Sequence, residues 1–238
     1  MKHKVNDMQL ENIVADMMIA KQSVRYMWLQ DIWVKDDTYY SRYNRKISMK
    51  YDGDYYSTLS NYYHESGHAL DASGTNDYLS YTYKDNEFGK SISELLKEEV
   101  TEEKLDRIGA YADYLLEESN KAKEKYLAGD ISRNEFRSWS RPRSQVKSSL
   151  ADVIHGSLGY DSAMSTLREP GHAKGYYYTS EYYNEGDIRR GSEFFAEMVD
   201  DLINNPNRTF STIMEEIAPK ACSVFYKILK EKYGYEKR

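Results

Sequence analysis

The chain has 238 residues, 40% of them hydrophobic and 30% charged, with a formal net charge of −6. That is apolar material enough for one large domain or two small ones, and it excludes a chain disordered throughout. The acidic balance argues against a phosphate backbone as main partner, and the single cysteine, Cys222, excludes an internal disulfide framework and a Cys-rich zinc site.

Val5, Met8, Ile13, Val14, Met17, Ala20, Val24 and Met27 recur at roughly helical spacing and predict a long amphipathic helix over about 6–29. Charge interrupts these apolar residues, so nothing here resembles a secretory signal, and no run reaches the ~18 apolar residues of a membrane span. The expectation is a cytoplasmic chain, or one carried in a virion or exported without a signal. The 24 tyrosines suit half-buried positions, or an adhesive surface.

In YNRKISMKY (43–51), Ile47, Met49 and Tyr51 alternate with Lys46, Ser48 and Lys50, the period of a half-exposed strand, and DGD at 52–54 ends it. A helix is predicted from about Ser57 to Ala72, stopped by Gly74. After a polar stretch, a short helical piece covers Ile92 to Val100. Thr101 then caps a long charged helix that ends at Gly129, and its charge runs form a solvated face. Ser132 and Glu135 have the spacing of a capping box, opening a short helix through Trp139 before RPR at 141–143 breaks it; another helix follows over about 144–156. Glycine and tyrosine from Gly159 to Gly191 suggest loops and short strands. Helices resume over Ser192 to Leu202, break at NNPN (204–207), and finish with one or two more through Lys232.

The chemistry concentrates in NYYHESGHALDASG, residues 61–74. His64 and His68 are spaced i and i+4, so on a helix both imidazoles project from one face, as two ligands of a tetrahedral zinc require. Glu65, beside the first ligand, is placed to act as general base on a water activated by the metal. A catalytic zinc normally has three protein ligands, and the identity of the third sorts the candidates. A third histidine after a glycine turn would need Gly at 71 and His at 74, where the chain has Asp71 and Gly74. Asp77 follows the helix too closely to come from a separate element. The remaining solution is a glutamate from a second helix, available in SEFFAEMVDDL (192–202). There Glu193 and Glu197 share a face among Phe194, Phe195, Met198 and Leu202. A carboxylate set in such a stretch needs a partner, and zinc is one, although two solvated glutamates on an ordinary amphipathic helix would give the same pattern.

HESGHALD (64–71) together with SEFFAEM (192–198) resembles the catalytic core of the anthrax lethal factor-like metallopeptidases, a gluzincin group in which HExxH is followed by an EFFAE-type helix. SSLADVIHGSLGY (148–160) and GHAKGYY (171–177) are similar to the phage-encoded branch found with head-morphogenesis and minor capsid proteins. The resemblance implies zinc held by His64, His68 and Glu193, Glu65 as general base, and supporting roles for Asp71 and Glu197. It also implies a protein or peptide substrate and a phage head or other protein as partner; the charge balance and the lack of a long apolar run add the expectation of no nucleic acid and no membrane. Those enzymes place an oxyanion-stabilising tyrosine seven residues before the ligand glutamate, where this chain has Gly186. Tyr183 is the favoured substitute, with Tyr182, Tyr176 and His172 as further candidates.

The expected architecture is α+β and predominantly helical: one zincin-like domain over 1–238 with a small edge sheet and a helical insertion. Within it, 1–55 holds the N-terminal helix and an edge strand near 43–51. The active-site helix occupies 56–75, the insertion 76–147, and the glutamate helix with the C-terminal helices 148–238. Peptide-bond hydrolysis is the expected activity; a capsid-associated protein in which the metal mainly staples helices is the alternative.

Overall fold

The computed structural model describes residues 32–34, 38–41, 46–49, 55–72, 90–177, 185–205, 207–233 and 235. The helix expected over 6–29, the turn at 52–54 and both Tyr182 and Tyr183 lie outside them. The described chain is mostly helical with one small sheet, as the composition and periodicity imply.

Three short strands, β1 (Ile32–Val34), β2 (Tyr39–Ser41) and β3 (Lys46–Met49), are ordered β1-β3-β2. β1 runs parallel to β3, and β2 runs antiparallel to it with Tyr40 opposite Ile47. This corrects the expected edge strand: β3, the segment near 43–51, is the central strand of the three, paired on both sides. β3 is not half-exposed either, because Ile47, Ser48 and Met49 are all buried. Alternation reports the two faces of a strand and says nothing of its lateral neighbours.

Helix α1 (Tyr55–Ala72) begins two residues before the expected start and packs on β3 and β2. α2 (Ile92–Glu99) opens with a capping box, Ser91 accepting from the Glu94 amide. Thr101 does not cap the long helix. It precedes a 3-10 turn (Glu102–Lys104) without a side-chain bond, and α3 (Leu105–Ala128) follows, ended by Gly129 at φ +84°. The predicted break at RPR is absent: α4 (Arg133–Leu158) runs through Pro142 and across the 147/148 boundary. A proline removes one helical hydrogen bond. Here the Ser132/Glu135 box secures the start, and the buried residues Val146, Leu150, Ala151, Val153 and Ile154 secure the second half.

Where loops and short strands were expected, α5 (Tyr160–Leu167) and the first turns of α6 (Glu185–Asn204) are helical. Gly159, at φ +104°, separates α4 from α5, and Arg168, at φ +56°, caps the end of α5. α7 (Thr209–Ile217) and α8 (Pro219–Tyr233) complete the chain. Asp201 sets the corner before α7, accepting from Asn205 Nδ2 at 2.8 Å and from the amides of Phe210 and Ser211 at 3.1 and 2.8 Å.

α6 is the centre of the fold. Every residue from Arg190 to Asp201 is buried, and α1, α2, α4 and α7 surround it. Phe194, Phe195 and Met198 supply its apolar packing, yet the same stretch buries Arg190, Ser192, Glu193, Glu197, Asp200 and Asp201. A buried charge of that kind persists only with a partner. Among the described residues, no helix is long and apolar enough to cross a membrane.

Candidate metal centre

The site begins where α1 meets α6. Gly67 lies so close to Ala196 that a β-carbon on it would stand 2.5 Å from the Ala196 Cα. Three residues before and one after that crossing stand His64 and His68 on α1, and Glu193 and Glu197 on α6. One close approach therefore brings two histidines of one helix to two glutamates of the other.

Glu193 Oε2 lies 3.2 Å from His64 Nε2 and 3.5 Å from His68 Nε2. One ligand atom from each of these three residues can be chosen so that all lie within 4.8 Å of one another, a group that could hold a metal ion. Bonds of about 2.0–2.1 Å at tetrahedral angles put ligand atoms about 3.3 Å apart, close to the two shorter separations. The chemistry of the oxygen fits as well: Glu193 Oε2 is buried and makes no hydrogen bond, although imidazole nitrogens face it. Its other oxygen, Oε1, accepts from Tyr176 Oη at 2.6 Å. Both glutamates are only 4% exposed, which rules out two solvated side chains.

Each imidazole also has an oxygen behind it. His64 Nδ1 stands 3.3 Å from Glu197 Oε1, whose Oε2 accepts from Ser149 Oγ. His68 Nδ1 stands 2.9 Å from Ser192 Oγ. Such partners turn the rings so that Nε2 faces the site. Glu197 thus stands behind His64, on the side of the ring away from Glu193. Asp71, fully buried in the last turn of α1, is not one of the three grouped residues.

The charges at the centre shift one another. Burial by itself would raise the Glu193 carboxyl, but His68 and His64 hold it well below the usual range. Burial would lower His64, yet Glu197 and Glu193 hold it well above an ordinary imidazole. Burial pushes Asp152 up to about 6 despite its bond to His172.

Glu65 is half-buried, and its Oε2 accepts from the Tyr40 amide at 2.5 Å, tying the expected base to β2. A cleft of about 310 Å³ is lined by Tyr40, His68, Tyr176, Arg189, Ser192 and Glu193 among others, and Tyr40 is what links it to Glu65. Arg189 lies over the Tyr176 ring, 4.8 Å from its centroid, and donates to the Tyr176 carbonyl at 2.8 Å.

Of the tyrosines weighed as oxyanion donors, Tyr183 and Tyr182 fall outside the described residues, and the Tyr176 hydroxyl is bonded to Glu193. His172 does reach the centre, stacked on Tyr176 with ring centroids 4.0 Å apart. Asp152 and Ser149 were not foreseen. The available signal was their i, i+3 spacing around Leu150, Ala151, Val153 and Ile154, which puts two polar groups on one face of a largely apolar helical stretch.

No known protein family, curated protein or solved structure matches the chain.

Proposed function

We propose that this chain is a zinc-dependent endopeptidase of the lethal factor-like, zincin type, with His64, His68 and Glu193 as metal ligands and Glu65 as general base. The observation that carries the reading is the convergence of Glu193 Oε2 on the two Nε2 atoms, at 3.2 and 3.5 Å, across helices more than a hundred residues apart in sequence. When bound, zinc supplies a Lewis acid that polarises a carbonyl and lowers the pKa of water.

The chain's own groups do the rest. Glu65 takes the proton of the attacking water and passes it to the leaving amine. Its bond to the Tyr40 amide places that carboxylate beside β2. Tyr40 also lines the cleft, so a peptide lying there would have its scissile bond near both the base and the three ligands. Glu197, Ser192 and Tyr176 hold His64, His68 and Glu193 in orientation. A phage head or another protein as partner is part of the same proposal and rests on the resemblance alone.

The test is a mixed peptide library presented to the zinc-loaded protein and to Glu65→Gln. Cleavage by the first and loss of at least about 100-fold in the second, with zinc content equal, supports the reading. Equal zinc with no cleavage by either protein transfers the proposal to a metal that staples α1 to α6.

A further inference from the structure

His172 repeats, from a third element, the arrangement of the two histidines on α1. Its Nε2 lies 4.0 Å from Glu193 Oε2, the same oxygen that faces His64 and His68. Its Nδ1 is bonded to Asp152 Oδ1, as His64 is backed by Glu197 and His68 by Ser192. An imidazole whose Nδ1–H is given to a carboxylate presents the Nε2 lone pair, the form in which histidine binds a metal.

The support behind His172 is built into the fold. Asp152 is 6% exposed on α4 and also accepts from Tyr177 Oη at 3.2 Å. Gly171, at φ +71°, lets the segment pass so close that any β-carbon would strike the Asp152 carboxylate. Tyr176 joins the two sets, stacking on the His172 ring while donating to Glu193. His172 is nevertheless outside the group of three whose atoms lie within 4.8 Å of one another. It stands one short step from the centre, on a turn, half-exposed where the others are more enclosed.

We infer that His172 is a fourth, displaceable ligand: it closes the metal site of the resting protein and yields its place when a substrate enters. The inference rests on the reading that His64, His68 and Glu193 hold zinc. It adds to that reading a self-closed state in which a protein nitrogen takes the position that a substrate or solvent oxygen would need. Asp152 is then a positioning residue, fixing the ring as the other oxygens fix theirs.

X-ray absorption of the zinc-loaded full chain counts the imidazoles bound to the metal. The expected count is three in the wild type and two in both His172→Phe, which keeps the stack on Tyr176, and His172→Gln, which keeps a polar side chain. Zinc transfer to a chelator should be faster by at least about 10-fold in both variants, as expected when a ligand is lost. Two imidazoles in the wild type, unchanged in the variants, with equal transfer rates, would overturn the inference and leave the three-ligand peptidase standing. A wild type that takes up no zinc would instead remove the reading beneath it.

Discussion

Gly67 of α1 and Ala196 of α6 meet backbone to backbone, with room for no β-carbon between them. This contact sets the spacing of the whole centre, because His68 and Glu197 each follow it by one residue and His64 and Glu193 each precede it by three. Gly67→Ala should force the helices apart, costing about 1–3 kcal/mol as an overpacked core does. It should also weaken zinc binding, since the ligand nitrogens and the Glu193 oxygen separate with the helices. Denaturant unfolding and a chelator competition measure the two effects. A variant as stable as the wild type with unaltered zinc affinity would contradict the contact.

The oxygens behind the ligands should matter less than the ligands themselves. Glu197→Gln weakens the hold on His64 Nδ1, and Tyr176→Phe removes the bond to Glu193 Oε1. Each should lower zinc affinity about 10- to 100-fold, the usual cost of losing such a partner. Competition with a chromogenic chelator reads this directly, and no loss in either variant would show that the ligands orient themselves unaided.

Zinc uptake should release protons. Glu197 and Glu193 hold the His64 proton on to higher pH than usual, and a ligand nitrogen must give that proton up. Affinity should therefore fall as pH is lowered through the neutral range. Calorimetric titration in buffers of different ionisation enthalpy would give the proton count; a count of zero at neutral pH would oppose the assignment of His64.

Asp200 provides a pH test of stability. Burial, with Glu197 adding to it, pushes its carboxyl up to about 8 from an ordinary 3.8. One oxygen accepts from Ser60 Oγ at 2.7 Å and the other is buried without a partner. Between those two pKa values the folded chain keeps a proton that the unfolded chain has lost, so this group makes stability decline as pH rises through the window and level off above it. Asp200→Asn should flatten that decline. Thermal melts of both proteins from pH 5 to about 9 compare the slopes, and equal slopes would mean that Asp200 is ionised in the fold.

What could be read in the sequence followed the range of the interaction. His64, Glu65 and His68 were legible because the i, i+4 relation is fixed by helix geometry alone. Glu193 was legible as a candidate through its aromatic neighbours and the resemblance of SEFFAEM. The resemblance also put it ahead of Glu197, and at the α1/α6 crossing Glu193 faces two Nε2 atoms and Glu197 the back of one ring. The lateral order of the strands left no trace in the alternation of Lys46 to Lys50. Pro142 gave the wrong local signal, because burial of the following turns outweighs one missing hydrogen bond. Asp152 and His172 are twenty residues apart, with α5 between them, and their meeting depends on the close pass of Gly171, whose positive φ no periodicity reveals.

Zinc per chain after exhaustive dialysis, compared among the wild type, Glu193→Ala and Glu197→Ala, tests the three-residue centre most directly. The expected result is about one zinc in the wild type, little or none in Glu193→Ala, and an intermediate amount in Glu197→Ala. Glu193→Ala retaining zinc as well as the wild type does, or better than Glu197→Ala, would contradict the centre described here.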